Sequence, residues 1–270
     1  MDDADAAVMA ARDAFDEWSN SPIEERIRVL NSLSESFKNR TNELAELITK
    51  EVGTPIEYSK IAMVGTPRVV ARSYAKMLES YEWEHEIRNS VIVKEPVGVC
   101  AFITPWNFPI QIPAWKIAPA LAAGNTVVWK PASNTPLLAV ALARILHEAG
   151  FPPGVVNLVL GPGSMGQAIV DDERVHGITF TGSVPVGVGI RDAVTARNGR
   201  VQLELGGHNP AIVCDDADLD LAVPAIVAGA MGATGQKCTA TRRIIATPGI
   251  RNELTDRLIS AVSALQVGDG

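Results

Sequence analysis

Positive charge is in short supply: 24 Lys and Arg stand against 31 Asp and Glu, and the formal net charge of −7 argues against a nucleic-acid binder. Cysteine is scarce as well. The three thiols, Cys100, Cys214 and Cys238, are widely spaced and form neither a disulfide framework nor a paired zinc pattern. His85, His147, His176 and His208 offer no metal pair by spacing, so no metal is expected. No apolar run reaches the length of a membrane span, and the acidic start, Met1-Asp2-Asp3-Ala4-Asp5, is unlike a secretory signal. Cytoplasm is the expected compartment, without a membrane partner. Core material, by contrast, is ample: 47% hydrophobic against 20% charged residues, over 270 positions, describes a globular protein of one large domain or two smaller ones.

The first third reads as helices. Residues 7–18 form an amphipathic pattern, and Ser21-Pro22-Ile23-Glu24 reads as a helix start with Ser21 as N-cap and Pro22 at the first position. Ile27, Leu30, Leu33 and Phe37 give that helix its apolar stripe. A further helix spans 41–52 and stops at Gly53; another follows Pro67 to about Ser80. Segments 84–88 and 91–95 predict a projecting hairpin that turns through Asn89-Ser90.

From residue 97 onward apolar runs alternate with helical patterns: strand 97–103, helix 110–122, strand 126–130, helix 137–149, strand 155–160, a short helix after Ser164, strand 177–181, helix 184–196. Near-continuous Val, Ile and Leu strands separated by helices mean a parallel sheet covered on both faces, which binds ligands beyond the carboxyl ends of its strands. Polar clusters fall at those ends, at 104–107, 130–133, 161–166 and 181–183. Gly161-Pro162-Gly163-Ser164-Met165-Gly166 fits the dinucleotide fingerprint, but no acidic residue follows at the required distance; a tight strand-to-helix turn is the better reading. Thr181-Gly182-Ser183, opening a helix, is an equally good anion site.

Between a predicted helix 219–232 and a predicted strand 242–246 lies Gly235-Gln236-Lys237-Cys238-Thr239-Ala240-Thr241-Arg242-Arg243. Small neighbours leave the Cys238 sulfur approachable, and Lys237, Arg242 and Arg243 could favour its thiolate. An ordinary buried cysteine is the competing reading of this stretch. Cys100 reads as a small core residue, and Cys214 precedes Asp215 and Asp216, whose charge disfavours a thiolate. Taken alone, Asn107 reads as a turn residue, Glu204 as a solvent-facing strand carboxylate and Lys130 as a surface lysine. A papain-like hydrolase pairing Cys238 with His208 is the rival enzyme class, though the strand–helix alternation counts against it.

Five stretches together carry a resemblance: Thr104-Pro105-Trp106-Asn107-Phe108-Pro109, Gly124-Asn125-Thr126-Val127-Val128-Trp129-Lys130-Pro131-Ala132-Ser133, Phe180-Thr181-Gly182-Ser183, Glu204-Leu205-Gly206-Gly207 and Gly235-Gln236-Lys237-Cys238. In this order they resemble the NAD(P)-dependent aldehyde dehydrogenase superfamily. The segment from Ile112 to Leu121 is most similar to its semialdehyde dehydrogenases, notably those acting on 2-oxoglutarate semialdehyde. The resemblance implies an α/β fold: a doubly wound, Rossmann-like parallel sheet with N-terminal helices in a dinucleotide-binding domain (1–206), then a partial α/β catalytic domain (207–270). It further implies an enzyme oxidising a small-molecule aldehyde to a carboxylic acid, Cys238 attacking as thiolate and passing through a thiohemiacetal and a thioester. Asn107 and the Cys238 N–H would hold the oxyanion, and Glu204 would activate the hydrolytic water.

For the cofactor, NAD or NADP, the resemblance assigns Lys130 and Ser133 to the adenosine ribose, Ser183 to the pyrophosphate and Trp106 to the channel wall. Ile103, Thr104, Pro105, Ala132, Gly163, Phe180, Thr181, Gly182, Gly187, Leu205 and Gly206 complete the expected cofactor site. Ser133 stands where many NAD-preferring relatives carry glutamate, which favours NADP, alone or alongside NAD. The chain starts almost at the family's opening helices and stops shortly after the cysteine. The expectation is therefore a fragment of a longer enzyme, homo-oligomeric when full length, or a cofactor-binding remnant without turnover.

Overall fold

The computed structural model describes residues 2–270. Helices open the chain: α1 (Asp2–Asp13), α2 (Phe15–Ser19), α3 (Ile23–Asn39), α4 (Thr41–Val52) and a short α5 (Ile56–Tyr58). The last runs through one π-helical turn, Ser59–Val64, into α6 (Gly65–Leu78). Leu30, Leu33 and Phe37 are buried on one stripe of α3, as their spacing dictates. Gly53, in the left-handed region with φ 78°, ends α4 and donates its N–H to the Thr49 carbonyl.

Three local expectations are corrected. The first helix begins at Asp2 and breaks at Ala14 rather than running over 7–18. Pro67 lies inside the first turn of α6 instead of preceding it, because the π-helical turn carries the chain into that helix without a stop. Ser21 does not cap α3, which starts at Ile23 after Pro22. The Ser21 hydroxyl instead donates to the Trp18 carbonyl (2.6 Å) and accepts from Arg26 Nε (3.0 Å). Arg26 is the reason. Its guanidinium is buried and donates to the Trp18 carbonyl (3.2 Å), the Ser19 carbonyl (2.5 Å) and, across the sequence, the Ala122 carbonyl (3.4 Å). A cation at two helix C-termini satisfies their last carbonyls, and it requires Ser21 as its own fourth acceptor.

Next comes an exposed antiparallel hairpin, β1 (Glu84–Ile87) and β2 (Ser90–Val93), with Ile87 opposite Ser90. The turn is Arg88-Asn89, one residue earlier than expected, with Arg88 at φ 57°.

The centre is a five-stranded parallel sheet of β3 (Val99–Ile103), β4 (Thr126–Lys130), β5 (Val156–Leu158), β6 (Gly177–Gly182) and β7 (Arg200–Leu205), in the order β5-β4-β3-β6-β7. Between them run α7 (Gln111–Ala122), α8 (Pro136–Glu148), α9 (Gly163–Asp171) and α10 (Val184–Thr195). β4 is buried along its whole length, which is why it reads as an unbroken apolar run. One face carries Cys100, Phe102, Val127 and Trp129 against α3, α4, α6, α7 and α8; the other carries Val99, Ala101, Val128, Ile178 and Phe180 against α1, α9 and α10. This is the doubly wound α/β architecture. β7 is an edge strand, and its Arg200, Gln202 and Glu204 alternate outward.

Beyond the sheet, β8 (Asn209–Val213) pairs in parallel with β9 (Thr241–Ala246); α11 (Leu219–Met231), a 3-10 turn (Gly232–Gly235) and α12 (Arg251–Ser263) complete this part. Val213, Leu219, Val223, Ile226, Val227, Ile250 and Leu254 form a core of their own there. Asp218 caps α11 by accepting from Asp220 N, and Asp215 accepts from the Ile250 N–H ahead of α12.

Candidate functional site

In the centre of the sheet β3 and β6 are neighbours, yet the chain leaves β3 for β4 on one side and β6 for β7 on the other. Such a switch point opens a crevice beyond the strand ends. A cleft of ≈ 460 Å³ lies there, lined by Pro105, Trp106 and Asn107 after β3, by Thr181, Gly182 and Ser183 at the end of β6, by Leu205 and Gly206 at the end of β7, and by Cys238. Nine positions singled out from the sequence thus meet in one place. A larger groove of ≈ 740 Å³ between α1–α2 and the segment 152–155 shares none of these residues and is lined by no cysteine.

Cys238 reaches the cleft on a tightly bent turn. Ala233 (φ 52°) and Thr234 (φ 57°), neither a glycine, and Gly235 (φ 70°) all take the left-handed conformation. Two such non-glycine residues cost about 1–3 kcal/mol each and persist only where neighbours hold them. Here Gln236 Nε2 donates to Thr234 Oγ1 (2.6 Å), Arg242 Nη2 to the Gly235 carbonyl (3.2 Å) and Asn107 Nδ2 to the Gln236 carbonyl (2.8 Å). Asn209 Nδ2 donates to the carbonyl of Cys238 itself (2.6 Å). The Cys238 side chain is exposed, which excludes the buried-core reading. Its flanking cations work differently than expected: Lys237 Nζ lies 3.5 Å from the Ala228 carbonyl and Arg242 is engaged with Gly235, so both brace the turn. His208 is exposed and absent from the cleft lining, so the hydrolase pair with Cys238 is not assembled.

Other expected site residues hold the cleft's surroundings together. Thr104 is buried, its Oγ1 accepting from Trp129 Nε1 (2.9 Å) and its N–H donating to the Lys130 carbonyl (3.2 Å). Phe180 is in the core, its ring so close that a Cβ on Gly182 would stand 2.4 Å from Cζ. At Gly187 a Cβ would meet Leu205 Cδ2 at 2.5 Å, so a larger residue there would have to displace the Leu205 side chain at the end of β7. Ile103 and Lys130 border Gly166, whose added Cβ would lie 3.7 Å from each. Ala132 is half-buried, and Ser133, exposed, donates from Oγ to the Gly161 carbonyl (2.9 Å), tying the loop after β4 to the turn before α9. Gly163 opens α9 with free space where a Cβ would be.

The arrangement fits a nicotinamide dinucleotide. Lys130 is buried at the end of β4, its pKa pushed down by burial, and its ammonium makes no hydrogen bond or ion pair among the described residues. Thr181 Oγ1 is likewise buried without a partner beside the helix start at Ser183. A ligand with hydroxyls and phosphates would satisfy both.

Glu204 stands apart. It is exposed on β7, opposite Thr181 in register, and does not line the cleft. Its face of the sheet instead carries a group missed in the sequence, Lys116 of α7. This lysine is buried and donates from Nζ to Thr179 Oγ1 (2.7 Å), which donates onward to Gln202 Oε1 (3.2 Å). Burial pushes its pKa down to about 8, against the opposing pull of the Glu204 charge. Only its place within a helix of otherwise uncharged residues could have drawn attention to it. Among the described residues no His, Cys, Asp and Glu group could hold a metal ion, and no helix is long and apolar enough to cross a membrane.

A doubly wound sheet with a cysteine turned into its switch-point crevice defines an α/β protein with a thiol at the mouth of its sheet. Residues 1–270 match the model of the Aldehyde dehydrogenase family, and the chain belongs to that family. It is 42% identical over 279 residues to 2,5-dioxopentanoate dehydrogenase of Saccharolobus solfataricus, covering 100% of this chain and 58% of that protein. With the alpha-ketoglutaric semialdehyde dehydrogenase of Bacillus subtilis it shares 39% over 281 residues, 99% of this chain and 56% of the other. Aldehyde dehydrogenase C of Pseudomonas syringae, solved as a variant with NAD+ and octanal, superposes with a TM-score of 0.97 at 38% identity, over 99% of this chain and 56% of that one. The chain thus spans little more than half the length of the relatives it matches.

Proposed function

We propose that the protein carrying this chain oxidises an aldehyde to a carboxylic acid with NAD(P)+. The observation that carries this reading is the meeting of Cys238 with Asn107, Thr181 and Ser183 in one cleft at the switch point. The Cys238 thiolate adds to the aldehyde carbon; a C–S bond forms and the carbonyl electron pair moves to oxygen. That oxygen faces the Asn107 amide and the Cys238 N–H, donors aimed where charge develops. A nicotinamide held beside Thr181 and Ser183 would supply the acceptor for the hydride on the thiohemiacetal carbon. Thioester hydrolysis follows: Glu204 takes a proton from water, whose oxygen adds to the thioester carbon, and the C–S bond breaks to release the acid and the thiolate. Glu204 is next to Leu205 of the cleft wall, so this role requires its side chain to turn from the Lys116 face toward the sulfur. In the complete polypeptide, Glu204→Gln is expected to give a burst of about one equivalent of reduced cofactor followed by slow turnover. Unchanged steady-state turnover would remove Glu204 from this role, and no reduced nicotinamide with any aldehyde would remove the function.

The substrate class supported best is a carboxylated semialdehyde, the class named for the two sequence relatives. No carboxylate lines the cleft, whereas Lys237 and Arg242 do. The domain division at 206/207 is supported by the separate core that β8 shares with α11 and α12. A homo-oligomer is supported by the exposed Ile87, Val91, Ile92 and Val93 of the hairpin, and a cytoplasmic site by the three free thiols.

Cofactor preference rests on Ser133. A carboxylate here would face the 2′-phosphate of NADP; two like charges about 4 Å apart repel by roughly 4 kcal/mol at an effective dielectric of about 20. Serine removes that repulsion. The structure changes one element of the expectation: the hydroxyl hydrogen is committed to the Gly161 carbonyl, so Ser133 offers no free donor and Lys130 is left as the phosphate's cation. Ser133→Glu is expected to weaken NADP more than about tenfold relative to NAD, roughly 1.4 kcal/mol or more. Paired cofactor titrations measure it, and an unchanged ratio would refute it.

A further inference from the structure

We propose that Asn209 is a positioning residue: it aims the peptide N–H of Cys238, and through it the place where a negative oxygen is held during attack on a carbonyl. The use of that aim rests on the reading of Cys238 above. Three successive carbonyls lie around the cysteine, and each is held. The Gln236 carbonyl accepts from Asn107 Nδ2 (2.8 Å), the Lys237 carbonyl from the Ala240 N–H (3.2 Å) and the Cys238 carbonyl from Asn209 Nδ2 (2.6 Å). The second amide hydrogen of Asn209 goes to the Ala240 carbonyl (3.3 Å), so one side chain clasps both ends of the segment 238–240. In a trans peptide the C=O and the N–H lie in one plane and point in opposite directions. With the Lys237 carbonyl bonded to Ala240, the Cys238 N–H is turned away from Ala240. Asn209 keeps Ala240 in place and so sets that direction.

A side chain is needed because the strand ladder is interrupted at this step. Pro210 follows Asn209 and has no N–H to give. The register slips here as well: Asn209 lies opposite Thr241, and Pro210 lies opposite Arg243. Arg242, the residue passed over, sends its guanidinium back to the Gly235 carbonyl (3.2 Å). Past the slip, Ala211, Ile212 and Val213 pair in step with Ile244, Ile245 and Ala246. Asn209 thus ties the cysteine turn to β8 just before the regular ladder begins. It is half-buried and does not line the cleft, so its influence on the reaction passes through the Cys238 backbone.

The test compares two reactions of Cys238 in the complete polypeptide, both without cofactor. p-Nitrophenyl acetate acylates the thiolate: the sulfur bonds to the carbonyl carbon, the electron pair rests on the oxyanion, and p-nitrophenolate leaves. Its initial release is read above the background of Cys238→Ala. Iodoacetamide alkylates the same sulfur by displacing iodide and forms no oxyanion; it is read at Cys238 by mass spectrometry, because Cys214 is also exposed. Asn209→Leu keeps nearly the shape of the side chain and deletes both hydrogens. It is expected to slow acylation about tenfold and to change alkylation by less than about twofold. Asn209→Gln, which keeps the amide on a longer stem, should regain most of the acylation rate. Equal slowing of both reactions, or slowing of neither, overturns the proposal, as does Asn209→Gln no faster than Asn209→Leu. If Asn209→Leu does not fold, Asn209→Ala takes its place under the same criteria; failure of both to fold assigns Asn209 to stability and overturns the proposal. No acylation of the unsubstituted protein overturns it too. Formation of reduced nicotinamide from an aldehyde is followed separately. Its absence beside normal acylation removes the proposed function and leaves the role of Asn209 standing.

Discussion

Cys238→Ala is expected to lower aldehyde-dependent formation of reduced nicotinamide by more than about 10⁴-fold in the complete protein, with cofactor affinity nearly unchanged. Neither of the other two thiols among the described residues can stand in. Cys100 is buried with its thiol raised to about 12, and Cys214, although exposed, lies outside the cleft beside Asp215. The turn bearing Cys238 is held through backbone carbonyls and through Asn107, Asn209, Gln236 and Arg242, so the loss of one sulfur leaves it standing. Stopped-flow absorbance of reduced nicotinamide, set beside a fluorescence titration of the cofactor, reads both halves. Near-normal turnover by the alanine variant would exclude the thioester route.

Asn107→Ala is expected to lower kcat by about 10²–10³-fold, close to 3–4 kcal/mol of barrier, with a small change in KM. Asn107 has two amide hydrogens. One is committed to the Gln236 carbonyl at 2.8 Å, which places the group beside the Cys238 turn; the other is available to an oxyanion. The tie alone is worth only about 1 kcal/mol to folding. A kinetic loss far larger than the stability loss, measured by denaturant unfolding of the same sample, marks the oxyanion role. A loss of the same size in both would reduce Asn107 to a loop anchor.

Much of this was legible in the sequence where one local rule governs. β4 was readable because a strand buried on both faces must be apolar throughout, and Gly53 because a left-handed helix end wants glycine. Cys238, Asn107 and Thr181-Gly182-Ser183 were legible as motifs at strand or helix ends. What escaped depends on partners remote in sequence. Ser21 looked like a cap until Arg26 claimed it, and Lys116 drew no notice because its partner, Thr179 of β6, lies 63 residues away. Glu204 was identified as a candidate, but its outward direction follows from β7 being an edge strand, which only the sheet order reveals. The positive φ at Ala233 and Thr234 had no sequence signal, since neither residue type favours it.

The five strands of the sheet and their flanking helices are complete by Leu205, and the thiol comes later in the chain. On the ribosome, where domains fold as units from the N-terminus, the crevice between the ends of β3 and β6 can form before Cys238 has emerged, a lag of about a few seconds. The nucleophile then emerges toward a surface already folded to receive it. The Asn107–Gln236 bond, spanning 129 residues of sequence, is by this reasoning among the last contacts to close, and with it the Cys238 turn is fastened to the loop after β3.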